Sequence, residues 1–170
     1  MDWWVVYRRK PASGSLSDLL EKAGINYFIP TMLVERLNEQ GTEMVEVEVS
    51  VVQNLVFLQT EEELSSLIQR IDGLCAPMID SVTGKPAVVS DTDMQKFRLV
   101  LSKHNGDVKI LRDSYAKFCK NQLVRVKAGD FEGIEGRVVR VLRDRKLVIA
   151  LGSMAVAISG IDRSLFEPIE

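Results

Sequence analysis

One stretch limits what this chain can fold into more than any other. Residues 124–139 read VRVKAGDFEGIEGRVV. An alternating run, Leu123 to Lys127, enters a turn carrying Gly129, Gly133 and Gly136, and a second β-branched run leaves it. A tight corner between strands needs positive φ or close backbone approach, and glycine permits both because it has no Cβ. Phe131, between the first two glycines, is placed to cap the open end of a small barrel. The runs 122–127, 135–143, 146–151, 154–158 and 165–168 are short and closely spaced, with a turn at Asp144-Arg145. That is the pattern of a small all-β barrel. The glycine spacing is not a phosphate cradle: β-branched residues follow it, and no helix N-terminus is on offer to an anion.

The rest of the chain must then be a second unit. Charge divides the same way: residues 1–108 hold ten Lys+Arg and sixteen Asp+Glu, a balance of −6, and residues 109–170 hold twelve and eight, a balance of +4. Two units with different partners fit that asymmetry. A hydrophobic content of 46% and a charged content of 27% are those of an ordinary globular chain. No apolar run approaches the roughly 18 residues that span a bilayer. The opening Met1-Asp2-Trp3-Trp4 shows no basic segment or cleavage site. A cytoplasmic protein without membrane contact is expected, with Cys75 and Cys119 as reduced thiols.

Residues 3–8 (WWVVYR) read as a strand, followed by the basic run Arg8-Arg9-Lys10, either a solvated strand end or a contact to phosphate or an acidic partner. Leu16, Leu19, Leu20 and Ala23 form one helical stripe within 13–23, stopped by Gly24. Residues 26–37 read as a long strand with Pro30 at an edge or bulge. A hairpin tip at Asn38–Gly41 returns into 43–52, where Val45, Val47, Val49 and Val51 alternate with glutamates. The apolar run 54–59 reads as a central strand buried on both faces. Thr60-x-x-Glu63 predicts a capping box before a helix striped by Leu64, Leu67, Ile68 and Ile71 and ended by Gly73. Glu61 to Glu63 then suit the helix dipole and need no catalytic role. Short strands at 75–79 and 86–89 precede a third helix capped by Ser90, with Met94, Phe97 and Leu101 inward. Asn105-Gly106 marks the exit. The expected fold class is α+β: a first domain over 1–106 with an antiparallel sheet flanked by helices, a linker over 107–120, and a barrel domain over 121–170.

Enzyme chemistry finds no footing. The single histidine, His104, sits at a helix end, where a cation suits the dipole. With one histidine and two distant cysteines, neither a zinc set nor a nucleophile–histidine pair can be assembled. No nucleotide-binding glycine motif precedes a helix. The expectation is a binding protein with no catalytic residue, no cofactor and no metal.

The two halves together resemble the NusG family of transcription factors. The turn Gly129, Phe131, Gly133, Gly136 is similar to the family's KOW motif, with Asp130 where the family usually has proline. WWVVY resembles its opening strand. Tyr27-Phe28-Ile29-Pro30, Gln53 to Leu58 and Ile71-Asp72-Gly73-Leu74 stand where the family has its next signatures. Residues 109–113 (KILRD) and 152–161 (GSMAVAISGI) are similar to the specialised UpxY-type paralogues, processive antiterminators of polysaccharide operons. The resemblance implies an N-terminal (NGN) domain and an SH3-like KOW barrel. It implies a non-enzymatic elongation factor that bridges RNA polymerase between the β′ clamp helices and the β gate loop. On matched positions, Tyr7, Pro30, Val52, Leu55 and Phe57 are candidates for a clamp-helix depression, and Ser65 and Ser66 for the gate loop. Arg8, Arg9, Lys10 and Arg36 are candidates for nucleic-acid contact in the elongation complex. A ribosomal protein or the termination factor Rho is the implied partner of the KOW domain, which the β-branched runs predict to be a barrel at rest. The competing reading is an RNA- or ribosome-binding module that uses the basic half.

Overall fold

The computed structural model describes residues 1–50, 54–103 and 108–169, with the side chains of 32–34, 48–50 and 112 left aside. Val51, Val52, Gln53, His104, Asn105 and Gly106 therefore lie outside the described residues. The first half runs β1 (Trp3–Arg8), α1 (Leu16–Lys22), β2 (Asn26–Phe28), β3 (Thr31–Leu37), β4 (Met44–Ser50), β5 (Leu55–Gln59), α2 (Leu64–Arg70), β6 (Leu74–Pro77), β7 (Val88–Val89) and α3 (Asp91–Lys103). The second runs β8 (Val108–Ser114), β9 (Leu123–Val126), β10 (Glu135–Val141), β11 (Asp144–Leu151), β12 (Met154–Ile158) and β13 (Phe166–Pro168), with 3-10 turns at Tyr115–Phe118 and Arg163–Leu165. The class is α+β, as the alternation and stripes predict.

The first sheet has the order β2-β5-β1-β6, and β7 pairs with the far end of β1. All these pairs are antiparallel. β5 is interior, and Leu55 to Leu58 are at most 5% exposed, as a continuous apolar run requires. Alternation sends Val6, Val56 and Leu58 to one face, where Leu16 and Leu20 of α1 and Leu67 of α2 cover them. Trp3, Val5, Leu55 and Phe57 face the other side, where α3 brings Met94, Phe97, Val100 and Leu101.

Three expectations are corrected. The strand over 26–37 is two strands, broken at Ile29-Pro30, because proline cannot donate to a ladder. Its second part pairs only with β4, as a separate two-stranded sheet. The capping box does not form: α2 starts at Leu64 with Glu63 as an N-cap that makes no side-chain bond, and the Thr60 hydroxyl accepts from the Glu62 N–H at 3.0 Å. Thr60 thus closes a turn before the helix and is too early to cap it. The stretch expected as a linker is largely structured. β8 pairs with β12 from Ser114 to Val108, since Val108 and Ile110 alternate toward the core.

The second sheet has the order β13-β9-β10-β11-β12-β8. Leu147, Ile149, Leu151, Val156 and Ile158 line its inner side with Val124, Val126 and Phe131. The glycine turn works for two separate reasons. Gly129 and Gly133 have φ of +90° and +88°, and the Gly133 N–H donates to the Val126 carbonyl at 2.8 Å. Gly136 has ordinary φ, but a Cβ there would stand 2.6 Å from the Val148 carbonyl oxygen across the β10–β11 pair. Phe131, 8% exposed, packs into the main apolar cluster.

Candidate functional site

The candidate clamp-helix residues fall on one face by register. Tyr7 stands opposite Leu55, Val5 opposite Phe57, and Phe28 opposite Phe57. α3 closes most of that face. Phe97 reaches Phe57 and Phe28 with ring centroids 6.2 Å apart in both cases, and Phe28 and Phe57 are 6.3 Å apart. Such tilted and edge-on pairs add roughly 0.5–1.5 kcal/mol beyond area burial. The guanidinium of Arg98 lies over the Trp3 ring at 4.9 Å and the Phe28 ring at 4.5 Å, and Trp3 Nε1 donates to Asp91 Oδ1 at 3.0 Å. The helix is therefore held by aromatic packing, a cation over two rings and a hydrogen bond at its first turn.

The five clamp-helix candidates consequently do not form one exposed surface. Phe57 is fully buried, Leu55 is 5% exposed, and Pro30 is buried. An interior strand with an apolar run needs cover on both faces, and α3 supplies it. Tyr7 is the exception, 43% exposed. Val52 lies outside the described residues. Ser65 and Ser66 are both exposed on α2, and the Ser65 hydroxyl donates to Glu63 Oε1 at 2.8 Å.

The candidate nucleic-acid residues divide. Arg8 is engaged: its Nε donates to the Leu55 carbonyl at 2.7 Å, and partial burial pulls its guanidinium below the usual value. Arg9 pairs with Asp72 at 2.5 Å. Asp72 also accepts from the Ala12 N–H at 2.8 Å. That backbone bond first, and the Arg9 side chain second, hold its carboxyl below the ordinary carboxylate value. Together these contacts pin the segment after β1 to the loop before β6. Lys10 and Arg36 are exposed.

The two halves meet in a way that spacing along the chain does not reveal. Their inner apolar residues join in one cluster that runs from Phe57 and Phe97 to Leu151 and Met154. At the seam, the Gly152 N–H in the β11–β12 turn donates to Asp93 Oδ2 of α3 at 3.0 Å. The Asp80 carboxyl is held below its ordinary value by the Val82 N–H and then by the Ser153 hydroxyl. A Cβ on Gly152 would sit 2.6 Å from the Val88 carbonyl oxygen. Sequence reasoning missed Asp93, Arg98 and Gly152, because a helix-capping acid and a turn glycine carry no mark of a distant partner.

Among the described residues no cluster of three or more His, Cys, Asp or Glu is placed to hold a metal ion, and no helix is long and apolar enough to cross a membrane. A search of the curated proteins finds no match. Against protein-family models, residues 1–98 match the NusG model, described as transcription termination factor nusG. That match takes in β1 through most of α3 and more than half of the 170 residues, so the chain belongs to the NusG family.

Proposed function

We propose that this chain is a non-enzymatic elongation factor that binds RNA polymerase through its first half and promotes processive elongation and antitermination. The family match over residues 1–98 carries the reading. A factor that binds both sides of the polymerase cleft favours the closed clamp over the open, paused state by its difference in affinity for the two. In this reading Tyr7 is the accessible edge of the clamp-helix contact, backed by the buried Leu55 and Phe57, and the exposed Ser65 and Ser66 address the gate loop. Lys10 and Arg36 are the members of the nucleic-acid set left to meet phosphates.

The second half we take as a KOW domain, on its glycine turn and its barrel strand order, with a ribosomal protein or Rho as partner. The likeness of 109–113 and 152–161 to UpxY-type paralogues supports a polysaccharide-type operon as target. The test is retention of purified RNA polymerase on the immobilised full chain. Retention that falls with Tyr7→Ala is expected. A folded chain that retains no polymerase overturns the proposal.

A second reading, an RNA- or ribosome-binding module, is favoured by the +4 balance of the second half. It predicts salt-sensitive RNA affinity without polymerase retention.

A further inference from the structure

The tip of the β10–β11 hairpin gathers four arginines around one hollow. Arg140 and Arg145 are direct cross-strand partners, Arg143 lies in the connecting turn, and Arg163 arrives from the 3-10 turn before β13. With Asp144 and Ile161 they line an open concavity of about 310 Å³. All four arginines are exposed. Three arginines elsewhere in the molecule are in ion pairs: Arg9 with Asp72, Arg70 with Glu62, Arg125 with Glu135. Among the described residues none of the four at this tip is in an ion pair. Asp144 directs an oxygen to the Arg145 backbone N–H at 2.8 Å. The nearby Asp162 accepts from the Ser164 N–H at 2.9 Å, and that bond first, with the Arg163 charge a lesser cause, holds its carboxyl below the ordinary value. Like charges placed directly opposite on paired strands weaken the pairing. An anion between Arg140 and Arg145 relieves that repulsion, so the hairpin tip is built at a cost that a ligand offsets.

The ligand chemistry follows from the lining. Guanidinium groups bind phosphate oxygens through paired N–H donors and also stack on planar rings. Leu142, at the apex, is 92% exposed in a left-handed conformation with φ of +57°. It sets an apolar surface among the charges, as does the partly buried Ile161. A nucleotide strand offers both a phosphate for the guanidinium donors and a planar base for an arginine face, whereas a run of carboxylates offers charge alone. The hollow suits a flexible strand that can bend into it.

We propose that this four-arginine hollow binds the phosphate backbone of single-stranded RNA. The choice of RNA over single-stranded DNA rests on the proposed function, since RNA is the free strand that a transcribing polymerase extrudes. The phosphate site itself does not depend on polymerase binding.

The test uses the purified full chain and a fluorescently labelled oligouridine, read by anisotropy at several salt concentrations without polymerase. Four phosphate contacts give a log–log salt slope of about −3. The double variant Arg143→Ala/Arg163→Ala is expected to bind about tenfold or more weakly and to lose roughly 1.4 of the slope. Both positions are exposed, and an unchanged circular dichroism spectrum confirms that the variant folds. Lys117→Ala, which removes a lysine paired with Asp113 at 2.6 Å, is expected to leave the affinity unchanged. Equal RNA affinity in the double variant overturns the site. Tighter binding of the matching deoxyoligonucleotide, or of polyglutamate, overturns RNA as its ligand. Polymerase retention that persists in the double variant separates this outcome from any failure of the polymerase-binding reading.

Discussion

The molecule contains two hairpins of nearly equal length with opposite fates. β3–β4 and β10–β11 both pair strands of seven or eight residues in antiparallel register, but β4 alternates valine with glutamate whereas β11 carries the continuous apolar run Leu147 to Leu151. In the second hairpin Leu147, Val148, Ile149 and Leu151 are at most 2% exposed. In the first, Val45 and Val47 are 37% and 36% exposed, and Leu37 and Met44 at the tip are 61% and 58% exposed. Alternation states that one face is apolar; it does not state that the chain supplies the cover. β10–β11 has β9 and β12 as neighbours, whereas β3–β4 has none in its sheet. Charge separates them again. Glu35 faces Glu46 across the first hairpin, and Arg140 faces Arg145 across the second. One hairpin is part of the core with a basic tip, and the other is an acidic arm whose apolar side has no partner within its own sheet.

Substitutions can break this contrast, beginning with the covered hairpin. Leu147→Ala removes a fully buried side chain and is expected to cost about 2–5 kcal/mol in urea unfolding. Gly136→Ala drives a Cβ into the Val148 carbonyl oxygen and is expected to cost about 1–3 kcal/mol, read by the same titration. A cost near zero would mean that the β10–β11 pairing is looser than its register indicates. Gly152→Ala acts at the seam between the halves. Hydrogen exchange is expected to quicken at β7 and at the β11–β12 turn, with the inner strands of the first sheet still protected. The contrasting hairpin should barely respond: Val45→Thr with Val47→Thr is expected to change stability by no more than about 0.5 kcal/mol. A large loss there would show that the arm is packed against the rest.

The smallest effect belongs to Asp72. Its folded value is depressed, so its contribution is fully present above the unfolded carboxylate value of about 3.9 and is lost as pH falls through the folded one. Wild type and Asp72→Asn should therefore differ at neutral pH and converge in acid, as followed by the thermal midpoint against pH.

What could be read in advance had a local cause. The glycine turn, the buried run of β5, the stripes of α1 and α2 and the inward face of α3 each follow from residues that act on their near neighbours. The division of the first long strand was signalled by Pro30, but its consequence, a separate two-stranded sheet, depends on partners far along the chain. The same holds for 108–114. Its polar mixture reads as a linker until β12 appears beside it and the alternation of Val108 and Ile110 acquires a core. The candidate site was legible as a face and not as a surface. Period two places Tyr7, Leu55 and Phe57 together, but only the docking of α3 decides that Tyr7 alone of the three remains open to solvent.

The two adjacent tryptophans of β1 give this molecule a pair of built-in reporters. Trp3 is buried under α3, beside the Arg98 cation and bonded to Asp91, while Trp4 points the opposite way into the layer of α1 and α2. A single strand thus carries one fluorophore for each side of the sheet. With Trp4 replaced by Phe, emission from Trp3 would follow the release of α3, and with it any event that pries the second half from the first. With Trp3 replaced, Trp4 would remain silent to that motion and register only changes on the α1–α2 side.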